Sequence, residues 1–162
     1  MKSWIVVLIL LLIFTILQST VLCYFEICSI KPDIILIAVI YFALYGGRKF
    51  GSEIGITGGL LKDIVSGLPF GLSILSFGGL GFLVGSVGSR LYKESPFTQI
   101  ILTIGSAVSI SLFYYVGSYI SRRLPPFSEF FRFIILPSGV YTALVSPAIF
   151  LMLRLMLKEK MK

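Results

Sequence analysis

Five stretches of this chain run on without a single charged residue. They are Ser3–Phe25 (23 residues), Ile34–Gly47 (14), Ile64–Ser89 (26), Ser95–Ser121 (27) and Phe133–Leu153 (21). A helix crosses the hydrocarbon core of a bilayer with about 20 apolar residues. Four of the runs are long enough. The fifth, Ile34–Gly47, becomes a span if its helix starts near Ser29, with Lys31 and Asp33 in the headgroup layer. Composition agrees: 57% of the 162 residues are hydrophobic, 13% are charged and the mean hydropathy is +1.01. A soluble domain carries about 25% charged residues, so too little polar surface remains to coat one. A soluble enzyme, a nucleic-acid-binding module and a disordered chain are thereby excluded. The net charge of +7 comes from 14 Lys and Arg spread thinly between apolar runs. That spacing suits topology determinants, not nucleic-acid contacts.

The segment Phe50–Gly67 holds Glu53, Lys62 and Asp63 but is otherwise small and apolar. Gly51, Gly55 and Gly59 recur in it every four residues, one stripe of a helix that lets another helix come close. A third, interior helix is therefore expected. The reading is an all-α polytopic membrane protein, one integral domain over 1–162 with six transmembrane helices near 4–24, 30–47, 50–66, 70–89, 97–120 and 134–154. Gly71, Gly78, Gly79, Gly81, Gly85 and Gly88 line the fourth span, so spans three and four should form a tight hairpin. The first run is too long for a signal-peptide core and no A-x-A-like site follows it, so it reads as a retained helix. Six spans put both termini on one side. With that side cytoplasmic, nine cations lie inside (Lys2, Arg48, Lys49, Arg90, Lys93, Arg154, Lys158, Lys160 and Lys162) and four outside (Lys31, Arg122, Arg123 and Arg132). The bias follows the positive-inside rule and supports cytoplasmic termini.

Chemistry-bearing residues are few. Histidine is absent, which removes His-based triads and the usual zinc sites. Two cysteines, Cys23 and Cys28, cannot build a cluster. They read as small apolar residues near an interface, or as a disulfide if that end is oxidising. No serine has a candidate base and the acids are scattered, so neither catalysis nor a cofactor is expected. Lys62 and Asp63 are adjacent and point about 100° apart, so they do not face each other. A charge at bilayer depth costs about 2.5–3.5 kcal/mol, so Glu53, Lys62 and Asp63 should face protein, a polar cavity or an interface. Asp63 reads either as an interfacial cap on the next turn, paired with a nearby cation, or as a ligand or partner anchor. Beyond span five, Pro125-Pro126 leads into Phe127, Phe130, Phe131 and Ile134 at i, i+3, i+4 and i+7. This outer ledge is an aromatic anchor or a docking surface. Pro137 and Pro147 should bend span six.

An ordered set of residues goes further. Gln18-Ser19 closes the first span, Lys31-Pro32-Asp33 opens the second, and Gly58-Gly59-Leu60-Leu61-Lys62-Asp63 continues to Ser66-Gly67-Leu68-Pro69-Phe70-Gly71. This set, over about residues 15–90, resembles the bacterial rod shape-determining protein MreD family. The resemblance implies an architecture similar to the substrate-binding subunits of energy-coupling-factor transporters, and a non-catalytic scaffold of the cell elongation machinery. It also implies binding of MreC, a single-span coiled-coil protein. Through MreC the scaffold is linked to MreB, RodA and its penicillin-binding transpeptidase, and so to rod shape and peptidoglycan synthesis. Gln18, Pro32, Asp33, Gly51, Gly55, Gly59, Asp63, Ser66, Gly67, Pro69 and Gly71 form the candidate structural or partner-binding core, the glycine stripe included from its spacing. A vitamin-type binding subunit of a transporter is the alternative. Such subunits carry an Ala-x-x-x-Ala-type stripe on the first helix, and Ser3–Phe25 contains no alanine. A lipid-handling protein is a third reading.

Overall fold

A computed structural model of the chain describes residues 2–20, 32–66, 70–88, 95–120 and 136–158. Cys23, Cys28, Gly67, Pro69 and the ledge of Phe127, Phe130 and Phe131 lie outside the described residues. Among those described, every regular element is a helix: α1 (Lys2–Thr20), α2 (Ile34–Ser66), α3 (Leu72–Val87), α4 (Pro96–Ile120) and α5 (Leu136–Lys158). By length and composition three helical stretches are apolar enough to cross a membrane, Ile34–Ser66, Pro96–Val116 and Pro137–Met156, the first of them broken at Gly47. Trp4–Thr20 and Leu72–Val87 are shorter apolar helices.

Large apolar side chains cover much of the exterior, while several polar side chains are buried inside. Ile16 (62% exposed), Ile64 (65%), Leu75 (72%) and Leu144 (71%) point outward, while Asp63, Ser73, Thr103, Thr142 and Ser146 are buried. Water does not tolerate that arrangement, whereas a bilayer requires it. Buried hydroxyls close on their own helices: Thr15 donates to the Leu11 carbonyl at 2.7 Å and Thr103 to that of Gln99 at 2.7 Å. Such back-bonding satisfies the group without a partner from outside the helix.

α2 is one helix in name only. Gly47 has φ +80° and ψ −171°, a conformation open to glycine and strained for other residues. There the chain reverses. Gly51 lies against Ala43, and Gly58 against Ile35 and Val39, so the halves 34–46 and 48–66 run antiparallel. Residues 34–44 are all 0–9% exposed. A helix apolar all round belongs in the middle of a bundle, and this half fills it. The second half pairs with α3 through glycine. A Cβ on Gly51 or Gly85 would stand 2.5–2.6 Å from the facing carbonyl oxygen of Gly81 or Gly47, and the same backbone contact recurs where Gly55 meets Phe77 and Gly59 meets Ser73. Each step of four residues along one helix is a step of four back along the other.

α1 buries the stripe Val7, Leu10, Leu11 and Phe14, and its start is pinned where Trp4 meets the Phe50 ring edge-on at 5.3 Å. In α5, Pro137 falls in the first turn, where a missing N–H costs nothing, and Pro147 lies inside the helix. The Ser146 hydroxyl takes up the Ala143 carbonyl at 2.9 Å, the group that Pro147 leaves without a donor.

Candidate functional site

Helix ends from every part of the chain meet at one pole of the bundle, and their polar side chains bond to one another. The stripe that buries α1 continues one turn beyond Phe14 to Gln18, so its amide points inward. Asp33 is the N-cap of α2, and its Oδ1 accepts the Leu36 N–H at 3.2 Å. That cap satisfies one of the amides a helix start leaves open. Gln18 doubles it: its Nε2 donates to Asp33 Oδ1 at 3.4 Å and its Oε1 accepts the Ile35 N–H at 3.3 Å. The Asp33 N–H donates to the Thr142 hydroxyl at 3.2 Å, and that hydroxyl donates to the Ser138 carbonyl at 2.7 Å. Pro32 is buried just before the cap.

Lys62 closes the far side. Its ammonium is paired with Asp33 Oδ2, and the two side chains are only 16% and 19% exposed. It also stands 4.8 Å from the centre of the Phe77 ring and 5.7 Å from that of Tyr114. Aromatic faces replace part of the hydration an ammonium loses at this depth.

Asp63, 3% exposed, serves a different helix. Its Oδ2 accepts the Gly71 N–H at 2.8 Å and its Oδ1 the Ser73 N–H at 3.1 Å. A carboxylate on these first amides of α3 meets both their open donors and the positive end of the helix dipole. Gly71 permits this because it is the N-cap of α3 in the left-handed region, at φ +104°. The Ser73 hydroxyl then bonds the Tyr114 hydroxyl at 2.7 Å. The network joins α1 (Gln18), both ends of α2 (Asp33, Lys62 and Asp63), α3 (Gly71 and Ser73), α4 (Tyr114) and α5 (Thr142). Among the described residues, no buried side-chain nitrogen or oxygen lacks a partner, and no group of three or more His, Cys, Asp or Glu that could hold a metal occurs.

The residues singled out in the sequence fall into two sets. Gln18, Asp33, Asp63 and Gly71 meet in this polar knot. Gly51, Gly55 and Gly59 line the seam with α3. Ser66 is exposed at the end of α2 and belongs to neither. Asp63 caps the next helix as one of its two readings expected. The cation beside it, however, turns to Asp33, because adjacent helical residues point to different neighbours. Ser73, Tyr114 and Thr142 were missed. One hydroxyl among many in apolar helices has no local signature. Lys62 had one: a lone cation within a span needs an acid, and Asp33 stands at the same end of the preceding span.

No curated protein and no solved structure matches the chain. A family model does, the one described as rod shape-determining protein MreD, over residues 1–160. That match takes in the whole knot and the helices that form it, so the chain belongs to the MreD family, a membrane protein of rod shape determination.

Proposed function

We propose that the protein is a non-catalytic membrane scaffold of the bacterial cell elongation machinery, holding MreC and through it MreB, RodA and the penicillin-binding transpeptidase during peptidoglycan synthesis. In this reading the six helical segments cross the cytoplasmic membrane, with both termini inside and the polar knot at the outer surface. The nine-to-four distribution of cations supports that orientation. The architecture is that of the substrate-binding subunits of energy-coupling-factor transporters, used to bind a protein rather than a vitamin.

The observation that carries the reading is the knot itself. It ties all five helices at one pole, and the polar groups on it are engaged with one another. A frame locked in this way, with apolar outer walls such as the Ile5, Ile9, Ile13 and Ile16 face of α1, suits the packing of another membrane helix. The filled middle along residues 34–44 favours a platform over a transport chamber.

The test is native mass spectrometry of the tagged full chain, gently extracted from its own membrane, with depletion of the protein in parallel. A co-purifying single-span coiled-coil protein and loss of rod shape are the expected results. A bound small molecule with an ATPase-linked coupling subunit, and rod shape retained on depletion, would replace this reading with the transport one.

A further inference from the structure

The opposite pole carries a feature the knot does not use. A cleft of about 260 Å³ opens there between the end of the first half of α2, the start of α4 and the last turns of α5. Pro96, Pro147, Phe150 and Leu151 make its apolar lining. Phe150 is a fixed wall, 3% exposed and packed edge-on against Tyr41 at 5.3 Å. Arg154, Tyr45 and Gln99 supply its polar groups.

The surroundings decide what such a cleft holds. The residues beside it face outward and are apolar: Phe97 is 71% exposed, Leu151 59% and Leu155 61%. Arg154 is exposed among them, one turn before the end of α5. One turn is about 5.4 Å along the axis, so the guanidinium lies where hydrocarbon gives way to headgroups. Arg48 and Lys49 stand at the same pole, just past the reversal at Gly47. A guanidinium matches a phosphate bidentately, and the first turn of α4, whose amides favour an anion, borders the same cleft. The cleft is too small for a whole lipid, and its lining is too apolar for free phosphate.

We propose that this cleft binds an anionic phospholipid, with the phosphate on Arg154 and the proximal acyl chain along Leu151 and Leu155. The site rests on the membrane location of the helices and not on the scaffold reading. Loss of a co-purifying partner and loss of lipid are separate observations.

The full chain in detergent is titrated with phosphatidylglycerol, with phosphatidylcholine of the same chains, and with inorganic phosphate, and adducts are counted by native mass spectrometry. Phosphatidylglycerol is expected to bind about tenfold better than phosphatidylcholine, with no phosphate adduct. Arg154→Gln should bring the anionic lipid down to the phosphatidylcholine level, and Arg154→Lys, which keeps the charge but loses the bidentate fork, should keep only part of the preference. Arg48→Gln, which removes a charge at the same pole but outside the cleft, should change it less than twofold. Leu151→Trp, which fills the cleft and leaves every charge in place, should also displace the lipid and reads the same question if Arg154→Gln does not fold. The proposal is overturned if Arg154→Gln and Leu151→Trp retain the preference, if Arg48→Gln abolishes it equally, or if inorganic phosphate binds as well as the lipid.

Discussion

Gly55→Ala adds one methyl group where two backbones touch. The new Cβ would stand 2.7 Å from the Phe77 carbonyl carbon, closer still to its oxygen, and 3.0 Å from Gly78 Cα. Ordinary van der Waals contact begins at 3.4 Å. None of these atoms is the end of a flexible side chain, so relief requires α3 to move away from α2 along the whole seam. Overpacking of this kind costs about 1–3 kcal/mol, and a rigid backbone neighbour puts it at the upper end. Alanine returns up to about 1 kcal/mol of helix propensity. The net loss is about 2 kcal/mol. Gly79→Ala is the matched control, since its Cβ meets nothing within 4 Å; it gains the propensity and pays no contact. The two variants should therefore differ by about 3 kcal/mol, which a reversible denaturation titration in detergent micelles resolves. Equal stability of Gly55→Ala and Gly79→Ala would refute the argument that this seam is held at backbone contact.

Two further perturbations address the knot by the same titration. Lys62→Met leaves the Asp33 carboxylate without its counter-ion and should cost about 3 kcal/mol. Adding Asp33→Asn should recover part of that loss, and a fully additive double variant would mean the two side chains do not interact in the folded protein. Asp63→Ala strips the Gly71 and Ser73 amides of their acceptor and should cost about 1–2 kcal/mol. Asp63→Asn, which keeps one carbonyl oxygen there, should cost less; a larger loss for asparagine than for alanine would count against the capping role.

Legibility divided along physical lines. Most helix positions followed from hydrophobic run length, since burial of backbone polar groups in a bilayer leaves little else to form; the second span, expected to begin near Ser29, instead has its helix begin at Ile34, because Asp33 caps it there. The Gly51, Gly55 and Gly59 stripe announced a close approach because only absence of a side chain permits one. The interior helix over 50–66, despite its three charges, was legible for the same reason. What stayed hidden is what depends on the return path of the chain. Lys62 and Asp33 are 29 residues apart, and they meet only because Gly47 reverses α2. Tyr114 and Thr142 arrive from helices whose rotation about their own axes no local pattern records. Ser66, close to Asp63 in sequence, is the last residue of α2 and is exposed there.

Seam and knot depend on each other through Ser73. Its carbonyl lies against Gly59 at the last contact of the glycine seam. Its amide donates to Asp63, and its hydroxyl bonds Tyr114. Sliding α3 by one turn along α2 would restore much of the small-residue packing, because the repeat on both helices is four. It would also carry Ser73 about 5.4 Å along the axis, away from both partners, and leave the Asp63 carboxylate buried without donors. Lys62 sets the same limit from the other side, since the ring it covers belongs to Phe77, whose carbonyl closes on Gly55. A glycine seam alone brings two helices close without choosing a register. Here the choice is made at its end, where one serine and two adjacent charges on α2 admit a single alignment, and the same charges tie that alignment to α1, α4 and α5.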